Sequence, residues 1–160
     1  LKQCPKGMKQ IFFYMYADIE EKYGLLNHAI EVYDRAAQEV ENDQKLEVFC
    51  VYISKASEFF GITKTRVIYE KAFSVLEGAD AIQIGLRFAS LEKKLGEIDR
   101  ARAIYVHLSQ NCDPEKAITF WKTWDDFEVY HGNEDTYKDM MRIQRTVKSK
   151  FSFVAPMMSQ

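Results

Sequence analysis

Ala29-Ile30-Glu31-Val32-Tyr33-Asp34-Arg35-Ala36, Thr65-Arg66-Val67-Ile68-Tyr69-Glu70-Lys71-Ala72 and Ala101-Arg102-Ala103-Ile104-Tyr105 are versions of one segment, set 36 residues apart. Tyr33, Tyr69 and Tyr105 mark the register, and the next step reaches Met141, which keeps the position large and apolar. The residue before each is apolar as well: Val32, Ile68, Ile104 and Met140. Two positions further on, Arg35, Lys71 and His107 are basic or titratable, until Ile143 breaks the column. Ahead of the register come Gly24, Gly61, Gly96 and Gly132, spaced 37, 35 and 36 residues apart. Glycines there suit the left-handed backbone position that ends a helix. A period of this length is the signature of a repeat architecture.

Each unit reads as helix A, a glycine-containing turn and helix B. In the first helix B, Ala29, Val32, Tyr33, Ala36, Ala37 and Val40 form the apolar stripe of an amphipathic helix, and Ile98, Ala101, Ile104, Tyr105 and Leu108 repeat it in the third. Helix A carries a bulky residue eight positions before the glycine, at Tyr16, Ile53, Phe88 and Trp124, and Ile19, Ala56, Leu91 and Phe127 lie five before it. Asp113-Pro114 places a capping acid before a proline at a first helical position, Asn133 after Gly132 caps the last helix, and Asp80 after Gly78 does the same for its own. Four helix pairs are predicted, at about 9–41, 45–77, 80–112 and 114–150, followed by an apolar tail over 151–160. One pair cannot bury its apolar face alone. The expected fold is all-α, an α-solenoid of stacked antiparallel helix pairs.

Composition supports helix and narrows function. The chain has 160 residues, 47% hydrophobic, with 7 Gly and 3 Pro, too little turn chemistry for an all-β fold. Its 22 basic and 24 acidic residues project no strong field toward nucleic acid or lipid. No apolar run is long enough to span a membrane, and Leu1 to Gln10 lacks a signal-peptide core. The opening, without Met, reads as the end of something cut away, so a fragment is expected. Cys4, Cys50 and Cys112 lack metal-binding spacing and are expected to be reduced and structural.

An aromatic in helix A followed four residues later by Glu occurs as Tyr16/Glu20, Phe88/Glu92 and Trp124/Glu128, and with the helix B segments quoted above it resembles half-a-tetratricopeptide (HAT) repeats of RNA-processing factors. The segments 95–105, from Leu95-Gly96-Glu97-Ile98 to Ile104-Tyr105, and 120–136, from Phe120-Trp121-Lys122-Thr123-Trp124 to Asp135-Thr136, are similar to one family within that class, the Syf-type pre-mRNA splicing factors or XPA-binding protein family. The resemblance runs from about Phe13 to Lys150 and corresponds to the carboxy-terminal end of a longer array. It implies a nuclear scaffold of the spliceosome's Prp-nineteen-associated (NineTeen) complex that contacts other HAT-repeat and coiled-coil subunits, with a link to transcription-coupled DNA repair. Against the pattern, Ile53 and Ser57 stand where the second unit should carry its aromatic and Glu, and the fourth unit lacks the Ala-Arg pair.

No catalytic, cofactor or metal site is expected. His28, His107 and His131 have no partner at metal-ligand spacing, and no Walker loop, GxGxxG or GxSxG is present. Asp125, Asp126 and Glu128 cluster in a helix whose Trp124 and Phe127 read as core; Trp121, Trp124 and Tyr130 read more readily as inter-helix packing than as stacking partners for bases. The basic column Arg66, Arg102 and Lys138, with Ile30 in the first unit, reads as a ladder for RNA or an acidic partner or, more readily, as pairing with helix A acids such as Glu92 and Glu128 inside each repeat or with neighbours across the stack. Partner-binding candidates lie in the fourth unit: Lys138, Arg142, Arg145 and Lys148 on one helical face, with Phe151 and Phe153 of a tail that either caps the last repeat or inserts into a partner. Partners are expected to be spliceosomal scaffold proteins, with RNA contact secondary and neither membrane nor small-molecule substrate involved. A direct RNA-binding module is the alternative. A peptide-binding tetratricopeptide co-chaperone would need a groove of Lys and Asn that the sequence does not assemble.

Overall fold

In the computed structural model the described residues are 7–158, with side chains described through Phe153. Cys4 and the side chains beyond Phe153 lie outside them. Eight α-helices follow one another: α1 (Lys9–Lys22), α2 (Leu26–Glu39), α3 (Asn42–Phe60), α4 (Arg66–Val75), α5 (Gly78–Lys94), α6 (Ile98–Ser109), α7 (Ile118–His131) and α8 (Glu134–Met158). A 3-10 turn, Ile62–Thr65, precedes α4, and the described residues contain no strand. The fold is an all-α helical repeat. The chain forms two compact units, Leu1–Ile84 and Gly85–Gln160, with the boundary inside α5.

In the first unit α2 packs on both α1 and α3, and α3 packs on α4. The stripe that makes α2 amphipathic is the reason: Ala29, Val32, Tyr33, Ala36, Ala37 and Val40 are all buried. Three alanines keep that face thin enough for neighbouring helices to approach, while Phe13 of α1 and Val48, Phe49 and Tyr52 of α3 fill the space beside it. α1 is buried along one side only. Its other side exposes Ile11, Phe12, Met15, Tyr16 and Ile19, so the Tyr16 and Ile19 columns, buried later at Ile53, Ala56, Leu91, Trp124 and Phe127, lie open here.

In the second unit α6, α7 and α8 pack mutually around Tyr105, Phe120, Trp121, Trp124, Phe127, Met140 and Val147, all buried. Trp121 Nε1 donates to the Cys112 carbonyl at 3.0 Å, which satisfies a buried indole and ties α7 to the end of α6. Cys112 is buried and forms no disulfide. Burial pushes the Cys112 thiol up to about 11. Iodoacetamide at neutral pH is therefore expected to label Cys112 only in urea-unfolded protein; labelling in the native state would show that the 109–118 segment opens.

Several local expectations are corrected. Gly24, Gly61 and Gly96 adopt positive φ, but Gly132 sits at φ −91°, an extended conformation open to any residue. Its requirement for glycine is spatial, as shown below. Asp113-Pro114 does not open α7. Instead the Glu115 N–H donates to Asp113 Oδ1 at 3.0 Å and the Ala117 N–H to the Asp113 carbonyl at 2.7 Å, closing a separate turn. Asp80 lies within the first turn of α5, two residues inside a helix that begins at Gly78. There its charge favours the helix N-terminus. Asn133 does cap α8: its Oδ1 accepts from the Thr136 N–H at 2.9 Å and the Thr136 hydroxyl accepts from the Asn133 N–H at 2.8 Å, a reciprocal capping pair. In the fourth unit Met140 is buried and Met141 is 39% exposed, so the tyrosine column ends on the outside of α8.

Candidate interaction site

The expected gap in the second unit's aromatic column disappears in the structure. Counting back 36 from Phe88 gives Tyr52, so the column is Tyr16, Tyr52, Phe88 and Trp124 at constant spacing. Counting from the glycines reaches Ile53 instead, because the turn at Gly61 comes one residue late. Tyr52 and Trp124 do the same work 72 residues apart. Tyr33 of α2 stacks on Tyr52 of α3 with ring centroids 6.4 Å apart and planes at 17°, and Tyr105 of α6 stacks on Trp124 of α7 at 6.1 Å and 6°. The tyrosine of each of these B helices thus packs against the aromatic of the next A helix, at separations where aromatic pairs attract.

Polar ties run along the same joints. In the second unit Arg102 of α6 donates from Nε to Glu128 Oε1 at 2.8 Å and from Nη2 to Oε2 at 3.3 Å. Trp124 Nε1 donates to Glu128 Oε1 at 3.2 Å. The Glu128 side chain is fully buried and that of Arg102 is 21% exposed, its other end held by Asp99. Burial is the largest single influence on the Glu128 carboxyl and pushes it up, but hydrogen bonds from Arg102, Thr136 and Trp124 and the Arg102 charge together hold it below its ordinary value. Arg102 thus pairs across successive helix pairs, not within one. Stepping back 72 residues, the same two positions are Ile30 and Ala56, which line one groove between α2 and α3. The repeat accommodates either an ion pair or an apolar pair at this joint. In the first unit the polar ties are others: Lys55 to Glu21 at 3.1 Å and Lys71 to Asp34 at 3.0 Å.

Gly132 closes this network. A Cβ built there would collide with Glu128 Oε2 and Thr136 Oγ1 and lie 2.7 Å from the Glu128 carbonyl. Gly132→Ala is therefore expected to cost about 1–3 kcal/mol by overpacking, read as a lower urea midpoint. A neutral result would mean that the Glu128 and Thr136 side chains and the Glu128 carbonyl all give way at no cost.

The candidate partner-binding residues all fall on α8, on two different sides. Lys138, Arg142 and Arg145 face away from the buried Met140 and Val147 and are exposed. Lys138 meets Glu134 at 2.7 Å, Arg142 meets Asp139 at 3.7 Å, and Lys148, at the edge of the stripe, meets Glu115 at 3.5 Å. Phe153 is 74% exposed and lines a shallow groove with Arg145, Thr146, Ser149 and Lys150. Phe151 is half-buried, one turn beyond Val147 on the packed side. α8 continues to Met158, so the backbone of 151–158 extends this helix without a break.

The remaining candidates separate as well. Trp121 and Trp124 are core, while Tyr130 is 84% exposed and meets His131 edge to face at 4.9 Å. Asp125 accepts from the Tyr137 hydroxyl at 2.7 Å, joining α7 to α8. His28 lies 3.6 Å from Glu20. Among the described residues no group of His, Cys, Asp and Glu is placed to hold a metal ion, and no helix is long and apolar enough to cross a membrane.

The fold alone is similar to the crystal structure of BtubC (BKLC) from P. vanneervenii, with a TM-score of 0.51 at 19% identity over 86% of this chain and 61% of that one. Sequence relatives are more specific. The chain is 46% identical over 159 residues to the Drosophila melanogaster pre-mRNA-splicing factor syf1 homolog, covering 99% of this chain and 18% of that protein. It is 50% identical over 152 residues to the human pre-mRNA-splicing factor SYF1, and 48% over 151 residues to that of Dictyostelium discoideum, covering 95% and 94% of this chain and 18% of each relative. The chain thus spans about a fifth of the length of these relatives. The model of the pre-mRNA-splicing factor Syf1/CRNKL1 C-terminal HAT repeat matches residues 1–160, so the chain belongs to that family.

Proposed function

We propose that this chain is a non-catalytic interaction scaffold for pre-mRNA splicing in the nucleus, serving within the NineTeen complex. The observation that carries the reading is where its buried polar chemistry goes. Glu128, one of two fully buried carboxylates among the described residues with Glu92, is held by Arg102 and Trp124 at a joint between helix pairs, and the repeat carries Ile30 and Ala56 at the same two positions elsewhere. A catalytic carboxylate needs a reacting group within reach and a pKa suited to its task; this one is committed to packing and held ionised. Family membership supports the splicing role. The family resemblance also carries the expectation of a link to transcription-coupled repair.

Tagged chain recovered from nuclear extract is expected to bring other HAT-repeat and coiled-coil subunits with it, and to keep them after nuclease digestion. Loss of all of them on digestion, together with RNA affinity that falls steeply with salt, would replace this reading with that of an RNA-binding module.

A further inference from the structure

We propose that the outward face of α8 docks an acidic helical segment of a partner protein; the inference rests on the scaffold reading and names the chemistry of one partner. Lys138, Arg142, Arg145, Ser149 and Phe153 follow one another at steps of 4, 3, 4 and 4 residues. On an α-helix such steps keep every side chain on one stripe, here about 22 Å long. The stripe lies opposite Met140 and Val147, which are 2% and 1% exposed and anchor α8 to its own unit. It is therefore presented to solvent by a helix whose other side is fixed.

Charge selects the occupant. All 24 acidic residues of the chain lie at or before Asp139, and Arg142, Arg145, Lys148 and Lys150 follow it with no acid among them. The partners of Lys138, Arg142 and Lys148 are exposed, so an incoming carboxylate can replace them at little cost. Arg145 has no acidic partner among the described residues. Beside it Phe153 offers an exposed aromatic anchor in the groove with Thr146, Ser149 and Lys150. A helix with acids at i, i+4 and i+7 and one apolar residue near its end matches this spacing. A nucleic acid fits less well, because its affinity grows with the number of phosphates neutralised and the basic excess is confined to one length of α8.

The test uses the whole chain and two labelled probes in fluorescence anisotropy: a helical peptide with glutamates at i, i+4 and i+7 followed by a leucine, and a polyuridylate oligonucleotide. The peptide is expected to bind the more tightly at physiological salt. Arg142→Glu with Arg145→Glu is expected to weaken it roughly tenfold or more, the paired Gln substitutions less, and Phe153→Ala by several-fold, all with unchanged thermal melts. The proposal is overturned if the oligonucleotide binds more tightly, if charge reversal leaves peptide affinity unchanged, or if neither probe binds. Recovery of splicing subunits by the tagged chain is scored separately, so absence of peptide binding with subunits retained removes this inference and leaves the scaffold reading standing.

Discussion

Arg102→Ala is expected to destabilise the chain by about 3–5 kcal/mol at neutral pH, the usual cost of leaving a buried charge without its partner. Arg102 supplies two of the hydrogen bonds to Glu128, and water cannot replace them where the carboxylate is fully buried. The effect has a sign with pH. In the native protein the Glu128 carboxyl lies below its ordinary value, so its stabilising contribution is complete above the ordinary carboxylate range and is lost as pH falls through the depressed value. In Arg102→Ala, burial acts without the guanidinium, the folded carboxyl rises, and protonation favours the fold. Urea midpoints of the two proteins should therefore lie far apart at pH 7 and draw together as pH falls through the ordinary carboxylate range and below the depressed value. A gap independent of pH would mean that the loss of Arg102 acts through packing alone.

The second large effect is Trp124→Ala. Trp124 is 1% exposed, stacks on Tyr105 and also touches the rings of Phe120 and Trp121 at 6.3 and 5.4 Å. Removing it opens a cavity in that cluster and is expected to cost about 3–5 kcal/mol. Tyr16 occupies the same column of the repeat but is 44% exposed on α1, and Tyr16→Ala should cost no more than about 0.5 kcal/mol in this chain. Equal losses at the two positions, read from urea denaturation, would contradict the burial pattern that separates the first unit's outer helix from the inner ones.

How much of this could be read from sequence depends on whether a feature repeats. The stripe Ala29 to Val40 and the tyrosines Tyr33, Tyr69 and Tyr105 specify helix, period and core face together, because apolar positions every three or four residues leave a helix no other way to bury them. The aromatic column was obscured by its reference point. Glycines mark turns, and a turn tolerates an inserted residue that the stacked helices do not, so measuring from Gly61 missed Tyr52. Gly132 resembled the other turn glycines in sequence because the carboxylate it makes room for comes from four residues earlier and is fixed by Arg102 on another helix together with Trp124 and Thr136. Lys138, Arg142 and Arg145 were legible as one face from spacing alone. Phe151 was legible too, at the spacing of Met140, Ile143 and Val147 on the apolar face; the exposure of Phe153 was not, since it needs the continuation of α8 beyond 150, where no cap or glycine announces a helix end.

The joint between successive helix pairs, bridged by Arg102 and Glu128 in one unit and carrying Ile30 and Ala56 at the same positions in the other, is tested most directly by a double-mutant cycle with Arg102→Ile and Glu128→Ala. Each single change strands a polar partner, whereas the double change installs the first unit's own pair. The double variant is predicted to be more stable than the sum of the single losses implies by about 1–3 kcal/mol, read from urea denaturation at neutral pH. Losses that add to within about 0.5 kcal/mol would show that the two positions act independently and that the repeat does not join its helix pairs through this contact.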